Sequence, residues 1–243
     1  MHFHVLGPLE ARSADGSAVK LKPGKPTKLL AALLLHRGTW VSMDRLIDLI
    51  WQDQAVPASA AGNVKSYVCG LRRVLPEPRI ESRDGAYRVS IRPDEVDADL
   101  VTTRAAEARL MLADGDAARA VALLTGALDL WRGMPFGDLT ADDRAPEVAR
   151  LDEVRWELRE LLATACQTLG RSAEAIGLLR AMTCDDPLRE DIWTRLISLL
   201  HEAGRRGEAI ATFRRARSAI VRDLGVEPGA ELSGAHRMVL GVS

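Results

Sequence analysis

Gly170, Glu174, Ala175 and Ile176 come back as Gly204, Glu208, Ala209 and Ile210, each 34 residues later, and Leu179 is answered by Phe213. Recurrence at this period describes pairs of antiparallel helices, whose apolar faces are covered by the next pair. An earlier and more diverged copy, Gly115, Ala120, Val121 and Leu124, stands 55 residues before its counterpart. The extra length falls in a Gly/Pro-punctuated connection, RGMPFGDLTADDRAPE, at 132–147. Helices are expected over Glu95–Leu112, over Asp116–Trp131 with Val121, Leu124, Leu128 and Trp131 inward, and over Val148–Leu169. Asp186-Pro187 and Pro228 open two more, which together make about three helical hairpins.

The period is that of tetratricopeptide repeats, which as a class supply protein-binding surfaces. The pattern does not reach the N-terminus. Composition changes at Pro93: residues 1–93 hold 14 Lys and Arg against 8 Asp and Glu, and residues 94–243 hold 19 against 26. Two domains are therefore expected, 1–93 and 94–243, the first suited to a polyanion and the second not. The three cysteines, Cys69, Cys166 and Cys184, have no CxxC spacing, so neither a disulfide framework nor a zinc module is indicated. Without a signal-peptide pattern or a membrane-length apolar run, a cytoplasmic, nucleoid-associated protein with no membrane partner is expected.

The basic part opens with alternation from His2 to Glu10 and a second short run, Ala18–Lys22, read as a small antiparallel sheet. His2 and His4 would share a strand face, but no further ligand follows, so no metal site is assigned. Lys25–Arg37 forms a first helix with Pro26 in its first turn, Leu29, Leu30, Leu33 and Leu34 buried and Gly38 as the stop. Ser42 caps a second, Met43–Trp51, with Leu46, Ile47, Ile50 and Trp51 inward, and a loop, Gln52–Pro57, leads to the third. That third helix, Ala58–Leu75, places Ala60, Val64, Tyr67, Val68, Leu71 and Leu75 on one side at 100° per residue. The other side carries Ser59, Gly62, Ser66, Cys69 and Arg73, flanked by Asn63, Lys65 and Arg72, with no acidic residue. RIESRDGAYRVSI follows, a hairpin turning at Asp84-Gly85. Strands, three helices and a basic hairpin make a winged helix-turn-helix, whose third helix enters the major groove while the wing reaches the backbone or minor groove.

In that order and spacing, HFHVLGPLEARSADGSAVKL, ALLLHRG, VSMDRLIDLIW, SAAGNVKSYVCGLRRVL and DGAYRVSI resemble the DNA-binding domain of the actinomycete antibiotic regulatory proteins, a winged helix of response-regulator type. ALDLWRGMPFGDL and the run from DDPLREDIW to GVEPGAEL resemble that family's bacterial transcriptional activation domain. The resemblance covers nearly the whole chain. It implies a sequence-specific activator of antibiotic or other secondary-metabolite genes that binds promoter direct repeats as a homodimer and recruits RNA polymerase holoenzyme. The chain departs from the family at Gly62 and Gly70, where a larger polar or basic residue is usual, and at Ala86, where a glycine is usual. With its end at residue 243, the ATPase or phosphopeptide-binding extensions of larger relatives and a receiver domain are expected to be missing.

The DNA-binding candidates are Asn63, Lys65, Ser66, Arg72 and Arg73 on the third helix, Arg83 and Arg88 on the wing, and Lys28 and Arg45 near helix starts. Arg73 and Ser66, central on the exposed face, are assigned to base edges, and Lys65 and Arg72 to phosphates. Trp51, Tyr67, Trp131 and Trp193 sit among aliphatics at helical spacing and are assigned to core packing. No HExxH, GxSxG, P-loop, glycine fingerprint or Cys/His pairing occurs, so no catalytic residue and no cofactor is assigned. Asp142-Asp143, Asp152-Glu153 and Asp185-Asp186 are taken as helix-start charges rather than acid/base dyads. The competing reading is an interaction adaptor, built on the helical repeats, whose winged helix no longer reads DNA.

Overall fold

The computed structural model describes residues 1–52, 54–75 and 78–241. Asp53, in the loop after the second helix, lies outside them. They form two compact units, Met1–Glu107 with Thr125–Glu157, and Ala108–Leu124 with Leu158–Ser243. Composition changes at Pro93, whereas the packing of the first unit continues beyond it.

In the first unit, β1 (His2–His4) pairs antiparallel with β2 (Glu10–Arg12), His2 opposite Arg12 and His4 opposite Glu10. The strand expected at 18–22 does not form. A tight turn at Ser13–Ser17, closed by the Asp15 carboxylate accepting the Ser17 N–H at 3.0 Å, returns only Ala18 and Val19 to Arg12 and Ala11, the last residues of a three-residue strand. Three helices follow, α1 (Lys25–Leu35), α2 (Met43–Trp51) and α3 (Ala60–Val74). Pro26 sits in the first turn of α1, where no N–H is needed, and Leu29, Leu30, Leu33 and Leu34 are fully buried. At α2 the Ser42 hydroxyl accepts the Arg45 N–H at 3.2 Å. Leu49 takes the inward place expected of Ile47, which is half-buried. Ala60, Val64, Val68 and Leu71 bury the inner side of α3, and Tyr67, half-buried, stacks on Trp51 with ring centroids 6.4 Å apart.

The wing is β4 (Ile80–Arg83) and β5 (Ala86–Val89), turning through Asp84 at φ 48° and Gly85 at φ 76°. Positive φ at both central residues is the turn geometry that matches strand twist, and it explains the Asp-Gly pair. A strand too short for periodicity to reveal, β3 (Val41–Ser42), pairs with β5, so that the sheet runs β3-β5-β4. Ser42 thus caps α2 and lies opposite Ala86, fixing the start of α2 to the wing.

Two buried carboxylates return the chain from the wing to β1. Glu95, 5% exposed, pairs with the buried Arg79 and accepts the Arg92 N–H at 2.8 Å, and the Phe3 N–H donates to its carbonyl at 2.6 Å. Burial would raise its carboxyl, but the bonds from Arg79 and Arg92 push it down to about 2. Asp97, 4% exposed, opens α4 (Asp97–Ala113) and accepts the N–H groups of Val5 at 2.8 Å and Leu6 at 3.3 Å. Burial there outweighs those bonds and pushes its carboxyl up to about 6. The connection after α5 (Ala117–Leu128) docks on the same end of β1, with N–H groups of Arg132 and Phe136 donating to Leu6 and Val5 carbonyls at 2.7 and 2.8 Å. This approach requires Gly7, since a Cβ there would lie 3.0 Å from Arg132 Cβ.

The long connection is shorter than its Gly/Pro content suggests, because α6 (Ala141–Thr168) starts seven residues before the expected Val148. Pro146 lies inside this helix, at its sixth residue, where it can donate no bond to the carbonyl four residues before it. Asp142 and Asp143 do occupy its first turn, whereas Asp152-Glu153 is mid-helix and Asp185 ends the following helix, where it pairs with Arg159 at 2.7 Å. Those two pairs are therefore not helix-start charges; their positions followed from misplaced boundaries.

In the second unit the repeat is a repeat of geometry. Gly115, Gly170 and Gly204 have φ of 81°, 71° and 72°, the left-handed conformation that ends a helix and that glycine adopts without strain. The next backbone N–H then donates five residues back at the same 2.8 Å in all three copies, Asp116 to Met111, Arg171 to Cys166 and Arg205 to Leu200. Ala120, Ala175 and Ala209 are each fully buried. The helices α7 (Ser172–Asp185), α8 (Glu190–Glu202), α9 (Arg206–Leu224) and α10 (Ala230–Leu240) bury Leu179, Trp193, Leu196, Phe213 and Leu232 between them. Among the described residues no helix is long and apolar enough to cross a membrane, and no His/Cys/Asp/Glu group could hold a metal ion.

Candidate nucleic-acid interface

The outer side of α3 is a strip in which Gly62, Ser66, Cys69, Gly70 and Arg73 follow one another at helical spacing, all exposed. The side chains of Lys65, Ser66 and Arg73 make no hydrogen bond or ion pair with any described residue. The helix has no acidic residue in its first turn and two arginines in its last. Neither Gly62 nor Gly70 has an atom within 4 Å of where a Cβ would stand, so both leave bare backbone facing outward.

The other sequence-assigned residues, Lys28 apart, have partners within the protein. Arg72 donates through Nε to the Ile80 carbonyl at 2.9 Å and through Nη2 to Ser82 Oγ at 3.2 Å, tying α3 to the first wing strand. Asn63 donates to Ser59 Oγ at 3.3 Å, one turn back. Arg88 meets Glu81, its cross-strand neighbour, at 2.6 Å and lies 4.7 Å above the Trp40 ring. Arg45 pairs with Asp143 at 3.1 Å, whose carboxylate also accepts from Gln52 at 3.2 Å. Arg83 stands at the wing tip, 73% exposed, beside an equally open Asp84, an ion pair that water screens almost completely. Lys28 is half-buried on α1.

A groove adjoins the α3 strip. Ser66, Cys69, Gly70, Arg73 and Val74 form one wall, and Lys20, Lys22 and Pro26, from the segment entering α1, form the other. Among the described residues no carboxylate lines it. Lys20 and Lys22 were not candidates in the sequence, where they belonged to the strand expected over 18–22. Their closeness to Arg73 depends on how α1 packs against α3.

This architecture, with β3, α1, α2, α3 and the hairpin wing in the first unit and helical hairpins in the second, defines a winged helix-turn-helix protein with a tetratricopeptide-like array. Residues 16–86 match the family described as "Transcriptional regulatory protein, C terminal", and residues 96–240 match "Bacterial transcriptional activator domain". The chain is 32% identical to the regulatory protein DnrI of Streptomyces peucetius, over 99% of this chain and 92% of that one. It is 32% identical to the regulatory protein AfsR of Streptomyces griseus, spanning 99% of this chain but only 24% of that longer protein. The solved structure of Mycobacterium tuberculosis EmbR in complex with a low affinity phosphopeptide superposes with a TM-score of 0.87 at 29% identity, over 99% of this chain and 65% of that one. The chain belongs to the Streptomyces antibiotic regulatory protein family, by its domain pair and by its relatives.

Proposed function

We propose that the protein is a sequence-specific transcriptional activator that binds promoter direct repeats through residues 1–93 and recruits RNA polymerase through the helical domain, 94–243. The observation that carries this reading is the α3 strip, acid-free and exposed, with Lys65, Ser66 and Arg73 unpartnered at the position from which a winged helix reads the major groove. Arg73 and Ser66 read base edges, Lys65 and the wing-tip Arg83 hold phosphates, and Arg72 and Arg88 keep helix and wing in register. Head-to-tail pairing on direct repeats places neighbouring half-sites about one helical turn apart, roughly 10–11 base pairs. Regulated genes of secondary-metabolite, and specifically antibiotic, biosynthesis fit the family and the names of its members. A nuclease footprint of the purified protein on the promoters neighbouring its gene tests the proposal: protected direct repeats are expected, and no protected sequence at moderate salt would overturn it.

A further inference from the structure

Arginine outnumbers lysine 28 to 5 in this chain, yet all five lysines lie before residue 66 and four of them between 20 and 28. Two of those four have local occupations. Lys25 donates to Gln54 at 2.7 Å and lies 5.1 Å over the Trp51 ring, and Lys28 is half-buried on α1. The side chains of Lys20 and Lys22 are exposed and make no bond or ion pair with any described residue. They face Arg73 across the groove beside α3, so three cations line a groove to which no described residue contributes a carboxylate. The α3 wall between them has Gly70, with no atom within 4 Å of its absent Cβ. Open space and bare backbone at that point let a neighbouring chain of atoms come closer to α3 than any side chain would permit.

We propose that this groove holds the sugar–phosphate backbone of the DNA whose bases face Ser66 and Arg73, with Lys20 and Lys22 as two phosphate contacts outside α3 and the wing. Three features fit a polyanionic strand and not an apolar peptide: the converging cations, the missing carboxylates and the continuity with the α3 strip. The lysines are compact point charges on long stems, suited to phosphate neutralisation without base preference. The inference rests on the DNA-binding reading above.

The test uses the full chain, a duplex enriched from a random pool and an unrelated duplex, with affinity followed by fluorescence anisotropy between about 50 and 200 mM salt. In the K20A/K22A variant the slope of log affinity against log salt becomes shallower by about 1.8, equally on both duplexes, because two phosphates are no longer neutralised. Its melting temperature stays at the wild-type value, since neither side chain has a partner to lose. Gly70→Ala separates contact from folding: it raises the melting temperature by about 1–4 °C through helix propensity, while weakening binding to both duplexes severalfold. A wild-type slope in K20A/K22A, or wild-type affinity in Gly70→Ala, overturns the inference. If the wild-type protein binds no duplex at all, the DNA-binding reading itself fails. If it binds and only Arg73→Ala weakens it, the groove alone is refuted.

Discussion

Arg72 and Arg73 are neighbours in sequence with different work. Arg73 points outward with no partner, whereas Arg72 has two donors engaged by Ile80 and Ser82 of the wing. Arg73→Ala is expected to leave the fold intact and to cost about 1–3 kcal/mol in target affinity, with relaxed preference at one base pair, measured by competition with variant duplexes. Arg72→Ala is expected to lower the melting temperature and to weaken all duplexes alike by loosening the wing, without changing the salt slope; a shallower slope would make it a phosphate contact after all. Asp97 sets a pH dependence. Its carboxyl titrates at about 6 in the fold against 3.8 for a free aspartate, so the native state takes up its proton first, and acidification from pH 7 to about 4.5 strengthens the fold through this group. Glu95, held at about 2 against 4.5, acts in the opposite sense: its contribution is present above pH 4.5 and fades as pH falls toward 2. Asp97→Asn removes the first term, so the stability lost on substitution should be larger at pH 4.5 than at pH 7 by about 2 kcal/mol in urea unfolding. A loss independent of pH would contradict this assignment.

The elements differ in how well the sequence announced them. Helices α1 to α3 were legible because each has one buried stripe and a chemical stop or cap, and the wing because Asp-Gly accommodates positive φ at two successive positions. The helical array was legible because Gly115, Gly170 and Gly204 each place the same turn before the same buried alanine. What the residues did not show are contacts set by long-range packing. Strand β3 has only two residues, β2 begins only where the run read from His2 to Glu10 ends, and Pro146, inside α6, hid the start of that helix. The same division holds for the site. Lys65, Ser66 and Arg73 follow from a helical wheel, whereas the engagement of Arg45 by Asp143, 98 residues away, and of Arg88 by Trp40 does not. Gly7 belongs to this hidden class. Its replacement by alanine should cost about 1–3 kcal/mol by pressing a methyl into Arg132, read as a fall in the urea midpoint; an unchanged midpoint would mean that the connection yields easily.

At the scale of the molecule, residues 1–93 hold 14 basic against 8 acidic side chains and residues 94–243 hold 19 against 26, so the total of −1 hides a positive surplus on the stretch that carries α3 and the wing. A head-to-tail pair on direct repeats would place two α3 strips on one face of the duplex, so cooperative binding should vanish when the half-sites are moved apart by about half a helical turn and return after a full turn. The most direct test of the central claim, that the α3 strip reads DNA sequence, is selection of binding sites from a random duplex pool by the wild-type chain and by Arg73→Ala in parallel. The wild type should enrich a direct repeat with half-sites about 10–11 base pairs apart, and the variant should enrich a motif degenerate at one position in each half-site. Enrichment of no motif by the wild type, or of an identical motif by both, would contradict it.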